Sequence, residues 1–195
     1  MISLSICIPT YNRSEYLGEC INSILDAVAG HEHEVEIVIS NNASTDDTED
    51  NIRALQKEHT LIRYYRNENN IGAERNFRLV ATLATGENIW IFGDDDKMEV
   101  NAVTEVLESI RAGYTLTICN FSMWNKQLTF KYKNHGINGA AEVFDNANVL
   151  LSRFGLYLGY ISSVVINKSI FLSLSPSEYE FYTEYGFPYL LAFYS

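Results

Sequence analysis

The regular alternation of short apolar runs with helical periods constrains this chain more than any other feature of its sequence. The apolar runs are rich in β-branched residues and indicate buried strands, while the segments after them carry apolar residues at spacings of three and four. The strands are predicted at 4–8, 35–39, 61–65 and 89–92, and the helices near 17–28, 44–55, 73–84 and 100–110. Ser14 is the expected cap of the first helix, and the Ser-Thr-Asp-Asp sequence at 44–47 resembles a capping box that opens the second. Strand and helix alternate four times, roughly every 25 residues, and this pattern specifies a parallel sheet covered by helices.

From residue 114 the alternation gives way to shorter and less regular segments. Strands are predicted at 115–121, 128–132 and 161–166, and a helix at 142–151. The tail from residue 179 is crowded with aromatic side chains and ends within an apolar stretch. Such an ending is expected of a segment cut from a longer protein, and a short natural chain is the alternative.

Composition and charge exclude several classes of partner. The 195 residues include 25 acidic and 14 basic side chains, which gives a formal net charge of −11. A strongly acidic chain is a poor candidate for binding nucleic acid, and its apolar runs are too short to span a bilayer. The first apolar run ends at Pro9 without a basic leader, so no secretory signal is predicted. With three cysteines and no metal-ligand spacing, a cytoplasmic protein is expected.

Polar clusters follow three of the four predicted strands, at 10–13, 41–44 and 93–96. In a parallel sheet these strand ends lie on one edge, and ligands bind beyond that edge. The three clusters are therefore expected to form a single site.

The cluster after the fourth strand contains three adjacent carboxylates, Asp94, Asp95 and Asp96. Two such charges roughly 4 Å apart repel by about 4 kcal/mol at an effective dielectric constant of about 20. A divalent cation removes this repulsion, and magnesium or manganese usually binds one or two protein carboxylates together with substrate phosphates. The triplet therefore predicts a site for a metal–diphosphate complex. The alternative is an acidic first turn of the helix that follows.

Several familiar phosphate-binding and nucleophile motifs are missing from the sequence. The first strand is not followed by Gly-x-Gly-x-x-Gly, and neither a P-loop nor a Gly-x-Ser-x-Gly elbow occurs. These absences argue against a dinucleotide-dependent oxidoreductase, a P-loop phosphotransferase and a serine hydrolase.

Four motifs follow the four predicted strands in order: IPTYNR, ISNNASTDDT, NNIGAERNF and IFGDDD. Together they resemble the large family 2 of inverting glycosyltransferases, strongly over residues 2 to about 110 and loosely beyond. The resemblance implies an α/β GT-A fold, with a Rossmann-like, mostly parallel central sheet flanked by helices and a smaller acceptor-side part. It makes 1–112 the nucleotide-sugar-binding half of one domain and 113–195 its acceptor-side half.

The resemblance also implies roles for individual residues. The nucleotide-sugar donor would be bound by Pro9, Thr10, Tyr11, Asn41, Arg75 and Asp94. Asp95 would bind Mg²⁺ or Mn²⁺, and Asp96 would support it. Asn41 departs from the family, which usually has an acidic residue there to contact uracil; an amide can both donate to and accept from a base edge. Arg75 would lie near the donor phosphates, with an ordinary helix-surface arginine as the alternative.

The general base is the least determined part of the predicted site. The family uses an Asp or Glu late in the domain, often in a Glu-Asp pair, and this chain has no such pair after residue 140. By position, Glu184 and Glu180 are the first candidates, followed by Glu178 and Asp145. Each of the four has an ordinary solvated charge as its alternative.

The resemblance implies a metal-dependent glycosyltransferase that transfers a sugar with inversion from a nucleotide-sugar donor, with UDP the expected nucleotide. Its acceptor would be a saccharide or a lipid-linked glycan in bacterial surface-polysaccharide synthesis, and it would act in the cytoplasm, with peripheral association at the inner membrane face left open. One alternative is a catalytically silent member that binds a nucleotide or a partner. Another is a sugar nucleotidyltransferase, although residues 10–14 lack the glycines of that class.

Overall fold

The computed structural model describes residues 1–125, 130–133, 140–175 and 177–178. Most of these residues form one six-stranded sheet with helices on both faces. The first half contains β1 Leu4–Thr10, α1 Leu17–Val28, β2 Val35–Asn41, α2 Thr48–Glu58, β3 Ile62–Arg66, α3 Ala73–Leu83, β4 Asn88–Ile91 and α4 Ala102–Arg111. The second half contains β5 Leu116–Ile118, β6 Met123–Trp124, β7 Lys131–Lys133, α5 Ala147–Phe154, β8 Val164–Asn167 and α6 Lys168–Phe171.

The strand order in the large sheet is β3-β2-β1-β4-β8-β5, and the first four strands of the chain are mutually parallel. The chain builds outward from β1 through β2 to β3 and then crosses to the other side of β1 to form β4. The carboxyl ends of β1 and β4 therefore flank a topological switch point, where open α/β sheets bind ligands. The predicted α/β architecture with a mostly parallel sheet is confirmed.

Two strands of the second half extend the same sheet, while β6 and β7 pair antiparallel in a separate two-stranded sheet. Strand β8 pairs antiparallel with β4, and β5 pairs antiparallel with β8 at the edge. The strand predicted at 161–166 begins only at Val164, because Ile161–Ser163 forms a 3₁₀ turn. The strand predicted at 115–121 is limited to β5, and the helix predicted at 142–151 begins at Ala147.

Alternating side chains of the central strands divide the core into two layers. Ile6, Ile8 and Trp90 face one layer, in which α1, α2 and α4 pack, while Cys7 and Ile89 face the other, which α3 and α6 cover. Because β1, β2 and β4 are buried on both faces, they are nearly continuous apolar runs in the sequence. The hydrophobic pattern alone therefore placed these strands.

The helix starts differ from the predicted caps. Ser14 does not cap α1, because the N-cap is Tyr16 and no side chain bonds to the first turn. The backbone N–H of Ser14 donates instead to Asp46 Oδ2 at 3.1 Å. The predicted capping box at 44–47 is also wrong: α2 begins at Thr48, whose N–H donates to Asp46 Oδ1 at 3.1 Å. Ser14 and Asp46 connect the loop after β1 to the loop after β2. Local sequence patterns do not predict such contacts between loops.

A buried polar cluster connects the strands near the amino edge of the sheet. Glu36 lies beside Ser5 in the register of β2 and β1, and its carboxylate accepts the Ser5 hydroxyl at 2.6 Å. Arg63 Nη1 donates to it at 2.7 Å, and the N–H and hydroxyl of Thr85 donate to it as well. At the adjacent Gly86 a Cβ would lie 2.9 Å from the Ser5 nitrogen, so only glycine allows this close approach. The cluster joins β1, β2, β3 and the turn before β4.

Candidate functional site

The loops after β1 and β2 are joined to each other at the carboxyl edge of the sheet. Asn12 N–H donates to Ser44 Oγ at 2.9 Å, and Thr45 N–H donates back to Asn12 Oδ1 at 2.8 Å. Arg13 N–H donates to Thr48 Oγ1 at 3.0 Å. Asn12 has a φ of 52°, a left-handed conformation that asparagine tolerates better than most residues. The two loops therefore form one continuous surface beside the end of β4.

Asp46 connects these two loops, which accounts for an acidic residue at the end of the second motif. Burial would raise its pKa, but hydrogen bonds from Thr48 and Ser14 outweigh that effect and lower the pKa to about 2. The carboxylate is therefore charged throughout the physiological range. Its role is to join the loops, since it accepts hydrogen bonds from Ser14 after β1 and from Thr48 after β2.

The first aspartate of the triplet is largely withdrawn from solvent. Asp94 is 9% exposed and lies at the end of β4, opposite Thr10 at the end of β1. Burial raises the pKa of Asp94 to about 6, and the neighbouring charge of Asp95 adds to the rise. The Thr10 hydroxyl and the Arg13 guanidinium act in the opposite direction. A nearby positive charge stabilises the charged form of a buried carboxylate, so this position favours a further cation.

The other two aspartates are more open. The Asp95 side chain is 51% exposed, and its Oδ2 lies 3.9 Å from Arg13 Nη2. Asp96 is exposed at the surface, while its carboxylate packs against Gly93 and accepts the Ser162 hydroxyl. Desolvation raises the pKa of Asp96 more than the Ser162 hydrogen bond lowers it.

The chemistry of this donor set fits a divalent cation that is completed by a ligand. No group of three or more His, Cys, Asp or Glu side chains that could hold a metal alone occurs in the described part of the chain. Magnesium and manganese do not need one, since they bind through one or two carboxylates and substrate phosphates. Within the same described residues, the buried Thr10 hydroxyl beside Asp94 lacks a hydrogen-bond partner of normal geometry. An unsatisfied buried polar atom at a strand end is what a ligand-binding edge provides.

Asn41 lies at this edge but uses its amide within the protein. The residue is fully buried; its Oδ1 accepts Ser44 N–H at 2.9 Å and its Nδ2 donates to the Tyr64 hydroxyl at 2.9 Å. In the structure, therefore, Asn41 shapes the loop that carries Ser44. Its contact with a nucleobase stays a prediction.

Arg75 lies exposed in the first turn of α3. The loop before this helix is fixed by Asn42, which donates to Asn70 Oδ1 at 2.8 Å and accepts the N–H of Ile71 at 2.9 Å. Asn76 ties the helix itself to β2 through the Ser40 carbonyl at 2.9 Å. The first turn of α3 is thus held at the carboxyl edge, and the role of Arg75 toward a phosphate stays a prediction.

The remaining residues predicted to bind the donor lie at or just beyond the end of β1. Pro9 and Thr10 are buried as its last two residues, whereas Tyr11 just beyond the strand is 43% exposed. The exposed ring of Tyr11 is available to a ligand.

Only two of the four candidate general bases, Glu178 and Asp145, lie among the described residues. Glu180 and Glu184 lie outside the described residues. Glu178 accepts the N–H and hydroxyl of Ser175, which lower its pKa, and Asp145 is exposed just before α5. The structure therefore leaves the identity of the base as a prediction.

The structure adds two residues that the sequence patterns did not single out. Arg13 Nε lies 3.4 Å from Asp94 Oδ1, so the loop after β1 supplies a cation to the triplet. The polar cluster at 10–13 was the available signal. Ser162 reaches Asp96 from the second half of the chain, and no local pattern distinguishes it within a segment expected to be a strand.

Replacing Arg13 with Ala should raise the affinity for Mn²⁺ alone, by up to about fivefold, because a competing cation is removed from two carboxylates. Free Mn²⁺ can be counted by electron paramagnetic resonance during titration. Arg111→Ala is the matched control, since it removes the same charge from an ion pair with Glu34 away from the triplet. Unchanged or weaker Mn²⁺ binding in the Arg13 variant would contradict the expectation.

The fold defines the class of protein. A mostly parallel central sheet flanked by helices is the arrangement of GT-A glycosyltransferases. The sequence matches the model of glycosyl transferase family 2 over residues 5–171, so the chain belongs to this family.

Relatives in sequence agree with that assignment. The chain is 34% identical over 176 residues to the abequosyltransferase RfbV of Salmonella typhimurium, covering 85% of this chain and 53% of that protein. It is 27% identical to a GalNAc(5)-diNAcBac-PP-undecaprenol β-1,3-glucosyltransferase of Campylobacter jejuni, covering 79% of this chain and 49% of that one. The chain thus spans about half the length of these relatives.

Solved structures share the fold at low sequence identity. S. aureus TarS 1–349 in complex with UDP superimposes with a TM-score of 0.71 at 16% identity, covering 98% of this chain and 54% of that one. The mannosyltransferase PcManGT of Pyrobaculum calidifontis, in complex with GDP-Man and Mn²⁺, gives a TM-score of 0.59 at 14% identity, covering 87% and 45%. Within the described residues, no helix is long and apolar enough to cross a membrane.

Proposed function

We propose that this chain is a metal-dependent inverting glycosyltransferase that uses a nucleotide-sugar donor, with 1–112 binding the donor and 113–195 forming the acceptor side. The observation that carries the proposal is the meeting of the β1 and β4 ends, where Asp94, Asp95 and Arg13 lie together beside the buried Thr10 hydroxyl. Family membership supports the reaction class. The relative named as a GalNAc(5)-diNAcBac-PP-undecaprenol β-1,3-glucosyltransferase favours a saccharide or lipid-linked acceptor.

In this proposal the chain's own residues bind and orient the donor. The exposed ring of Tyr11 contacts the nucleobase, and buried Asp94 faces the ribose. Asp95 holds Mg²⁺ or Mn²⁺, which when bound stabilises the charge that develops on the leaving diphosphate. Arg13, released from the two carboxylates, carries a positive charge close to the same diphosphate. Its flexible side chain, 44% exposed, permits that movement.

The acceptor hydroxyl must lose a proton as it attacks the anomeric carbon from the face opposite the diphosphate. A carboxylate late in the domain is the proposed base, with Glu184 and Glu180 the first candidates. Replacing each with Gln separately should lower turnover in only one case, and donor binding should be kept in both.

Calorimetry with UDP, GDP, CDP and dTDP, each with and without Mn²⁺, tests the donor class directly. We expect UDP to bind with Mn²⁺ and the other nucleotides to bind more weakly. If another nucleotide binds most tightly, Asn41 in place of the usual acidic residue has changed the nucleobase preference of the site. Mn²⁺-dependent binding without turnover of any nucleotide-sugar, with saccharide and lipid-linked acceptors supplied, would favour the silent nucleotide-binding alternative.

A further inference from the structure

Ser162 is the point at which the second half of the chain contacts the acidic loop. It lies in the 3₁₀ turn Ile161–Ser163, directly before β8. Its hydroxyl accepts the backbone N–H of Gly93 at 2.8 Å and donates to Asp96 Oδ2. One side chain therefore binds both ends of the Gly93–Asp96 turn.

The backbone of Ser162 is anchored independently of this hydroxyl. Its carbonyl accepts the indole N–H of Trp90 at 2.8 Å, and the Trp90 side chain is 2% exposed in the core. Strand β8 continues from this turn and pairs with β4, the strand that carries Trp90. Because these contacts belong to the core, the position of the hydroxyl is fixed by packing.

The turn that Ser162 binds has little room to rearrange. A Cβ on Gly93 would lie 2.8 Å from Asp96 Oδ2 and 3.3 Å from Ser162 Oγ, so a larger residue would displace one of them. Asp96 N–H also donates to the Gly93 carbonyl at 3.3 Å, which closes the turn around Asp94 and Asp95. The orientation of Asp95 therefore depends on a turn whose two ends share one serine.

We propose that Ser162 is a positioning residue that holds Asp95 in its metal-binding orientation through Gly93 and Asp96. This inference rests on the proposed function, in which Asp95 binds Mg²⁺ or Mn²⁺. Without the hydroxyl, Gly93 N–H loses its acceptor and Asp96 loses its donor, so the turn gains alternative conformations. Partners that orient metal ligands in this indirect way commonly change metal affinity by about 10- to 100-fold when they are removed.

The test is Mn²⁺ and UDP titration of Ser162→Ala, Ser162→Thr and Ser163→Ala, by paramagnetic resonance and calorimetry. We expect the Ala variant at 162 to bind Mn²⁺ about tenfold more weakly, and the Thr variant to restore most of the affinity because it keeps a hydroxyl. Ser163 is the matched control: its buried hydroxyl donates to the Tyr157 and Tyr160 carbonyls and supports the same segment without touching the acidic turn. Ser163→Ala should keep wild-type Mn²⁺ affinity.

Hydrogen exchange provides a readout that needs no metal. The Gly93 amide should exchange faster in Ser162→Ala than in the wild type and Ser163→Ala, with thermal unfolding midpoints showing that all variants are folded. Wild-type Mn²⁺ affinity in a folded Ser162→Ala variant, or an equal loss in Ser163→Ala, would overturn the inference while the proposed function stands. A wild-type protein that binds neither Mn²⁺ nor UDP would overturn the proposed function and this inference with it.

Discussion

Replacement of Asp95 with Ala should abolish the metal-dependent part of UDP binding and leave the fold intact. The side chain is 51% exposed, so its removal empties no core space, and its 3.9 Å ion pair with Arg13 is a weak surface contact. A cation that depends on one or two carboxylates cannot lose its main ligand without losing affinity for the metal–diphosphate complex. Calorimetric titration with UDP, with and without Mn²⁺, measures this effect, and circular dichroism checks the fold.

Asp26→Ala is the matched control for Asp95→Ala. Asp26 is an exposed aspartate on α1, so its replacement changes the net charge equally without altering the triplet. It should bind UDP as the wild type does, with the same dependence on Mn²⁺. If wild type and Asp95→Ala show one UDP affinity with and without Mn²⁺, the assignment of the metal site is wrong.

Replacement of Glu36 with Ala should destabilise the fold by about 2–3 kcal/mol, since it leaves the buried Ser5 hydroxyl, the Thr85 donors and the partly exposed Arg63 without their acceptor. The carboxylate accepts from Ser5 in β1, from Arg63 in β3 and from Thr85 in the turn before β4. Urea denaturation measures the free energy of unfolding. Glu34→Ala removes an acid paired with Arg111 at a more exposed position, and it should cost no more than about 1 kcal/mol.

Loss of stability in Glu36→Ala as small as in Glu34→Ala would contradict this role. The variant should still bind UDP and Mn²⁺ wherever it is folded, because Glu36 pairs with Ser5 near the start of β1, whereas the candidate site lies at the carboxyl end.

The same carboxylate should make stability sensitive to acid. Burial would raise the pKa of Glu36, but hydrogen bonds from Ser5, Arg63 and Thr85 outweigh burial and lower it below the ordinary value of 4.5. The folded state thus binds this proton less readily than the unfolded state, and the stabilisation present above pH 4.5 is lost as the pH falls below it. The difference in unfolding free energy between wild type and Glu36→Gln should therefore shrink as the pH is lowered from neutral to below 4.5. A difference that stays constant over this range would exclude the predicted linkage.

The parts of the fold that were predicted from sequence are those set by local patterns. Strands β1, β2 and β4 are buried on both faces, so their apolar runs identify them without knowledge of their neighbours. Helix α1 was placed by apolar spacing for the same reason. The starts of α1 and α2 were predicted less well, because Asp46 and Ser14 bond between loops 32 residues apart in sequence.

The position of the candidate site was predicted from the sequence, whereas the contacts of its side chains are known only from the structure. The order of the four motifs placed Thr10, Asn41 and Asp94 on one edge, and the parallel sheet confirms that shared edge. Which way an amide faces is decided by its partners. Asn41 bonds Tyr64 from β3 as well as Ser44 in its own loop, and no pattern around residue 41 indicates the first of these contacts.

The sequence by itself determined the order of strands and helices, the edge at which the polar clusters lie and the family to which the motifs belong. Those features depend on the periodicity of apolar residues and on short motifs, which are properties of neighbours along the chain. Only the tertiary structure decided that Arg13 pairs with Asp94 and Asp95, that Glu36 joins three strands and that Ser162 binds the turn carrying Asp95. Ser162 is 66 residues from Asp96 in sequence, and only the antiparallel pairing of β8 with β4 brings them together.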